Sequence, residues 1–369
     1  MMRRTRNLLA AALSVVAMCS FAVESCGATA RKPVAAPADI SANYFLSHYV
    51  DGSGRVIRYD QGSTTVSEGQ AYAMLLAVAV GNRQKFDQVW SWTQHHLRRP
   101  DGLFSYLWAN GKVTGRDPAS DADLDTARAL AAAARRFNHP AYARQARALG
   151  RDIMRKETVT AGGRRLLVAG PWGRAAPYTV DPSYFSPNAY NALARLGRRR
   201  AWRQLAQSSY KVLKQSRGGN PPLPPDWAKV KPDGAAYASA APHGASGGAA
   251  PMRYGPDATR VLVRMAESCD PRAHRLAAAA WPFLRKATAG GRDPAFAYDL
   301  SGRPMTSNTN AVTLVAAAGA ATAAGNHKAA ASLLGRAQAF DGAHPSYYGD
   351  AWVALGRVML QTHLLGSCP

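Results

Sequence analysis

Apolar residues recur at three- and four-residue spacing along most of this chain, in runs separated by short polar or glycine-containing turns. The pattern predicts helices at about 38–49, 67–80, 83–98, 121–137, 139–156, 183–197, 199–215, 256–268, 270–289, 306–323, 325–339 and 345–363. Gly81-Asn82, Asn138-His139-Pro140 and Gly325-Asn326 are short turn-formers, so the helices they join return antiparallel as hairpins. About twelve helices in six hairpins predict an all-α chain closed into a helical barrel. Three connections are too long to be turns: Arg99–Ala119, Thr158–Pro182 and Arg217–Pro256. Loops of that length in a compact domain build sites, and these are expected at one end of the barrel. They carry Tyr106, Trp108, Trp172, Tyr178 and Trp227, whose flat faces suit stacking on sugar rings or plugging the local fold.

The first thirty residues belong to a different pattern. Arg3, Arg4 and Arg6 precede an apolar stretch, Leu8 to Val23, and Ala28-Thr29-Ala30 resembles a cleavage site, so residues 1–30 read as a secretory signal peptide. The acidic Glu24 argues against lipid attachment at Cys26, and no other segment is apolar enough to span a membrane. Residues 31–369 then form a single exported domain, with 47% hydrophobic residues overall. Removing the leader leaves Cys269 and Cys368, which either pair as a disulfide or stand as two thiols. The 46 Lys+Arg against 23 Asp+Glu give a formal charge of +23. These basic residues fall in scattered groups such as Arg135-Arg136, Arg164-Arg165 and Arg198-Arg199-Arg200, without a nucleic-acid motif, which reads as solvated surface and excludes a nucleic-acid partner. No CxxC pair or His/Cys cluster suggests a metal, and no cofactor is expected.

Two acidic stretches carry the chemistry. Tyr59–Val80 (YDQGSTTVSEGQAYAMLLAVAV) passes from a glycine-flanked polar loop into a mostly buried helix, with Ser67 expected as N-cap and Glu68 in the first turn. There Glu68 either complements the helix dipole or reaches a cleft with its proton retained by desolvation. In ASDADLDTARALAAAARRF, residues 119–137, the carboxylates Asp121, Asp123 and Asp125 crowd a helix start. Capping and dipole complementation account for Asp125, but three charges exceed what a cap needs.

SEGQAYAMLLAV and ASDADLDTARAL together resemble glycoside hydrolase family 8, which includes bacterial endoglucanases, chitosanases, xylanases and the cellulase that accompanies cellulose synthesis. Thr126 and Ala131 replace bulkier aliphatic residues, which alters packing only. The resemblance covers essentially everything after the leader. It implies an (α/α)6 barrel and inverting hydrolysis by a Glu acid and an Asp base. It places the acid at Glu68, a sugar-gripping carboxylate at Asp121, a supporting one at Asp123, and a water-orienting Tyr184 in Asp181-Pro-Ser-Tyr. The base segment matches Tyr254-Gly-Pro-Asp-Ala-Thr-Arg260, making Asp257 the base and Arg260 its partner; Tyr106 and Trp108 complete the expected substrate contacts. The family's Tyr before the base is replaced here by Pro256, so Asp257 is either the base or the N-cap of its helix.

The implied activity is a secreted or periplasmic endo-β-1,4-glucanase, monomeric, acting on a β-1,4-linked polysaccharide without metal. A sister specificity (chitosanase, mixed-linkage glucanase or xylanase) is the first alternative, although the positive charge disfavours cationic chitosan. A polysaccharide-binding protein that has lost turnover through Pro256 is the second. A helical-barrel lyase lacks its Tyr, His or Arg cluster.

Overall fold

The computed structural model describes residues 36–242 and 250–366. The expected leader at residues 1–30 and Cys19, Cys26 and Cys368 lie outside the described residues. Cys269 is disulfide-bonded. In chain order the helices are α1 (Pro37–Tyr49), α2 (Ser67–Ala79), α3 (Arg83–His96), α4 (Ser120–Arg136), α5 (Pro140–Lys156), α6 (Pro187–Ala194) and α7 (Arg199–Ser216). They continue as α8 (Pro256–Ala266), α9 (Pro271–Ala278), α10 (Trp281–Ala287), α11 (Ala311–Ala323), α12 (His327–Ala343) and α13 (Tyr347–Gln361).

Six of them, α2, α4, α6, α8, α11 and α13, pack in that order into a ring that closes where α13 returns to α2. The others lie outside: α3 on α2, α5 on α4, α7 on α6, α9 on α8, α10 on α11, α12 on α11 and α13, and α1 on α13 and α2. This is the (α/α)6 barrel. Sequence explains which helix goes where. The inner helix α2 is apolar around its whole circumference apart from its first turn, and α11 is Ala/Val-rich throughout and buried from Ala311 to Ala321. The outer helices α5 and α7 carry an apolar stripe on one face and arginines on the other; Arg135, Arg136, Arg164 and Arg198–Arg200 are exposed, as a solvated basic surface requires. Among the described residues, no helix is long and apolar enough to cross a membrane.

Three predicted boundaries move, each for a local reason. The helix expected at 270–289 is broken into α9 and α10, because Pro282 has no N–H to bond the Ala278 carbonyl and its ring would collide with it. The one expected from 183 starts at Pro187, with Ser186 Oγ accepting the Ala189 N–H; a short 3-10 turn, Pro182–Tyr184, precedes it. The one expected from 306 starts at Ala311, capped by Asn310, whose Oδ1 accepts the Thr313 N–H at 3.0 Å.

The long connections contain antiparallel sheet, which satisfies backbone groups crossing the barrel end. β1 (Thr65–Val66), β2 (Leu107–Ala109) and β3 (Lys112–Gly115) form one sheet, and β4 (Thr158–Ala161) with β5 (Arg164–Leu167) a hairpin. β6 (Tyr178–Val180), β7 (Trp227–Val230) and β8 (Ala236–Ser239) form a third.

Two buried acid pairs tie outer to inner elements. Glu157, at the end of α5, hydrogen-bonds Asp123 of α4, and Asp341 of α12 hydrogen-bonds Asp350 of α13, whose Oδ2 also accepts the Tyr49 hydroxyl at 2.7 Å. As ionised acceptors, Asp123 Oδ2 and both oxygens of Glu157 would have no donor, and Asp341 would have only the Ser346 N–H. One proton per pair supplies the missing donor. Burial, reinforced by the neighbouring carboxyl, pushes Glu157 well above the usual carboxyl range and Asp341 up to about 9.

A raised pKa means that the folded chain holds protons the unfolded chain has released. Stability from Asp341 is therefore full below an unfolded carboxyl pKa of about 4 and is lost as pH rises through about 9. Asp341→Asn cannot lose that proton. Its melting temperature, measured by calorimetry, is expected to gain on the wild type steadily between about pH 5 and pH 9. A pH-independent difference would show that Asp341 is ionised in the fold.

Candidate active site

Because the inner helices run parallel, their N-termini share one end of the barrel. Glu68, Asp121 and Asp257 lie in the first turns of α2, α4 and α8, and Tyr347 opens α13. The 3-10 turn before α6 adds Tyr184. The sequence pattern thus brings Glu68, Asp121, Asp257, Arg260 and Tyr184 to one place.

Glu68 is mostly buried, and it is the one residue of α2 that keeps partial exposure. Its helix is capped by Val66 without a side-chain hydrogen bond, so Ser67 is not the N-cap expected from sequence. The reason is the sheet: β1 runs straight into α2, and the Ser67 N–H is already bonded to the Tyr106 carbonyl at 3.0 Å. A Cβ on Gly69 would lie 2.3 Å from the Tyr347 hydroxyl, so α13 closes against Glu68 only because residue 69 is glycine.

Arg260 is the hub. Its Nη1 donates to Asp121 Oδ2 at 3.0 Å and to the Tyr72 hydroxyl at 3.3 Å, and its Nη2 donates to Asp257 Oδ1 at 2.8 Å. Asp181 Oδ2 lies 3.6 Å from Nη2, and the guanidinium sits 5.4 Å above the Tyr184 ring centroid. Buried to 4% exposure, Arg260 joins two buried carboxylates, Asp121 and Asp181, to Asp257, whose side chain stays 28% exposed. Glu68 has no such partner; among the described residues no cation lies within ion-pair distance of it. Burial, then the charge of Asp121, raises Glu68 to about 7 against the pull of Arg58 and Arg260. Burial also raises Asp257 to about 7, with Arg260 opposing and Asp226 and Asp121 adding to the rise. When one proton is present, the Arg260 contact favours keeping Asp257 ionised and Glu68 protonated.

The pair sits on α2 and α8, which face each other across the six-membered ring. One carboxyl able to hold a proton opposes another held as an anion, an arrangement suited to acid–base work across a cleft. Asp257 is not the N-cap of α8. Gly255 holds that position, Pro256 fills the first helical turn and Asp257 points to Arg260.

Other expectations are corrected. Asp123 does not reach substrate: it is fully buried, with Oδ1 accepting the Phe104 N–H at 3.0 Å and its carboxyl facing Glu157. Asp125 is not a dipole complement, because it lies a turn deeper and binds Arg264 through two bonds of 2.9 and 2.6 Å. Tyr106 and Trp108 are half-buried beside the α2 entrance on the β2–β3 hairpin. Trp108 meets Trp92 and His96 of α3 edge-on, and Tyr106 lies over Gly115. Trp172, 40% exposed, leads through Trp227 to Tyr184 with ring centroids 6.2 and 6.3 Å apart.

Sequence reading missed Tyr72, Asp181, Asp226 and the charges below the hub. Arg264 and Asp125 form a second buried ion pair, and Arg128 and Glu267 a third. The three pairs share a sequence separation of 139, so the Asp121/Asp125/Arg128 stripe of α4 and the Arg260/Arg264/Glu267 stripe form a ladder. The matching four-then-three spacing of opposite charges was the available signal. Among the described residues, no group of three or more His, Cys, Asp or Glu is placed to hold a metal ion.

The profile of glycosyl hydrolases family 8 matches residues 6–362. The chain is 32% identical to an endoglucanase from Cellulomonas uda over 196 residues, 52% of this chain and 55% of that protein. It is 34% identical to a probable endoglucanase from Novacetimonas hansenii over 224 residues, 59% of this chain and 63% of that protein. It spans only a little over half the length of these relatives. Among solved structures, an endo-β-1,4-glucanase from Acetobacter xylinum superposes with a TM-score of 0.72 at 26% identity, covering 87% of this chain and 97% of that one.

The ladder makes a stability prediction. Arg264→Met leaves Asp125 buried and unpaired and is expected to cost about 3–5 kcal/mol in chemical denaturation at neutral pH. Adding Asp125→Leu removes the orphaned charge and is expected to recover most of that loss. A single-mutant cost below about 1 kcal/mol would mean the pair is hydrated.

Proposed function

Because the chain belongs to glycosyl hydrolases family 8, we propose that it is an exported endo-β-1,4-glucanase that hydrolyses β-1,4-glucan with inversion. The observation that carries this reading is the opposition of Glu68 on α2 to Asp257 on α8, with Arg260 bonded to Asp257 and not to Glu68. Glu68 delivers its proton to the leaving glycosidic oxygen. Asp257 takes a proton from the water that attacks the opposite face of the sugar, and inversion needs about 6.5–9.5 Å between the two carboxyls to admit that water. Asp121 grips the sugar at the scissile bond, and Tyr184, pinned by Arg260, orients the water. The half-buried rings of Tyr106 and Trp108 offer stacking faces beside Glu68. Endoglucanase relatives and the lysine- and arginine-rich surface both favour a neutral or anionic glucan over cationic chitosan.

Pro256 does not argue for a turnover-deficient binding protein. It occupies a first-turn position where its missing N–H has no helical partner to lose.

The test is parallel hydrolysis of carboxymethylcellulose, mixed-linkage glucan, xylan and chitosan, with the fresh product's anomer read by NMR. Release of α-anomeric cello-oligosaccharides is expected, and β-anomeric product would overturn inversion. Glu68→Gln is expected to lower kcat by about 10²–10⁴-fold while sugar binding persists. Activity falls as pH rises through Glu68 at about 7, where the acid loses its proton. It also falls as pH drops through Asp257 at about 7, where the base gains one. The expected kcat/KM profile is therefore a narrow bell centred near neutrality; a flat profile from about pH 5 to 9 would contradict the pairing.

A further inference from the structure

Beyond its charge near Asp257, Asp226 has no role in the chemistry above, yet it is 3% exposed and fully engaged. It stands at the end of the 217–226 loop, immediately before β7, behind Pro224-Pro225, whose rings fix two backbone φ angles. Its Oδ1 accepts the Gly255 N–H at 2.9 Å and the Ala258 N–H at 2.8 Å, while Oδ2 accepts Arg253 Nε at 2.9 Å. Its own N–H bonds the Arg253 carbonyl at 2.8 Å. The α8 N-terminus has no capping side chain of its own. A carboxylate from a distant segment takes both donors that flank Pro256 and Asp257. The fit is tight: a Cβ on Gly255 would lie 2.6 Å from Asp226 Oδ2.

We propose that Asp226 is the positioning residue of the general base: it clamps the first turn of α8 from outside and so fixes the direction in which Asp257 faces the cleft. The proposal rests on Asp257 being that base. Pro256 gives the clamp its importance. In a first turn without its own side-chain cap, with proline as one residue, Gly255 and Ala258 hold the Asp226 bonds, and Asp257 sits between them. The next residue along, Trp227, packs its ring against Tyr184, so one strand entrance braces both the base and the tyrosine beside it.

The clamp also acts through its charge. Around Asp257 lie Arg260 on its own helix, Arg253, Asp226, Asp121 of α4, Asp181 before α6, and the hydroxyls of Tyr184 and Tyr348. Asp226 is a negative neighbour that raises the proton affinity of Asp257. Removing its charge therefore lowers the pH at which the base ionises.

The test compares wild type, Asp226→Ala, Asp226→Asn and Asp257→Ala on soluble β-glucan, with kcat, KM, the pH profile of kcat/KM and melting temperature measured for each. Asp226→Ala is expected to lower kcat by about 10- to 100-fold with KM changed by less than about threefold, as small misplacements of a reacting group do. Asp226→Asn, whose amide oxygen still accepts both N–H groups, is expected to recover much of kcat. In both variants the acidic limb moves to lower pH. Unchanged kcat in Asp226→Ala, or an unmoved acidic limb in Asp226→Asn, overturns the proposal. Should Asp226→Ala fail to fold, the Asp226→Asn limb alone decides. Full hydrolysis by Asp257→Ala would instead overturn the assignment of the base, a result separable from any effect at Asp226.

Discussion

Three buried ion pairs between α4 and α8 govern the rest of this structure. Asp121–Arg260, Asp125–Arg264 and Arg128–Glu267 run down the inside of the ring, where side chains of α4 and α8 reach past the intervening α6. Charges this deep cost several kcal/mol each to dehydrate, so the ladder is weak evidence for raw stability. Its stronger consequence is register. The lowest rung reverses sign, so a one-turn slip of either helix would set Arg128 against Arg264 or Asp125 against Glu267. Hydrophobic packing between Ala-rich helices supplies little such discrimination, because one alanine face resembles the next.

The top rung of that ladder also belongs to the candidate site. Arg260 cannot be optimised for the fold alone, since the same guanidinium binds Asp121, Asp257 and Tyr72 and lies over Tyr184. Arg260 is the cation in contact with Asp121, Asp181 and Asp257, Arg58 and Arg253 act on Glu68 and Asp257 from farther off, and four acids leave the cluster short of positive charge. Burial then raises Glu68 and Asp257 to about 7 and Asp181 well above the usual carboxyl range, despite the helix N-termini that would favour the anions. Which carboxyl keeps a proton is decided by contact: Asp257 touches the guanidinium and Glu68 does not.

Several residues of the proposed site were legible because their neighbours in sequence are also their neighbours in space. Glu68 is announced by glycines and an apolar helix, Asp121 by three acids before an alanine run, and Arg260 by its place one turn after Asp257. Asp125 shows the limit. In sequence it resembles a third first-turn acid, and only the arrival of Arg264 from a helix 139 residues away makes it half of a buried pair. Asp123 shows the same limit, since the partners it holds, Glu157 and the Phe104 N–H, reach it across other elements.

By itself, the order of apolar and polar residues determined the helices, their pairing into hairpins, the closed barrel and the end at which the acids gather, because helix periodicity and turn chemistry act within a few residues. Only the tertiary structure decided which acids pair with arginine and which share a proton. Those choices depend on burial and on contacts between residues far apart in the chain, for which local spacing carries no direct signal. Asp226 is the clearest case: nothing around Pro224-Pro225-Asp226 marks it as the cap of a helix that begins thirty residues later.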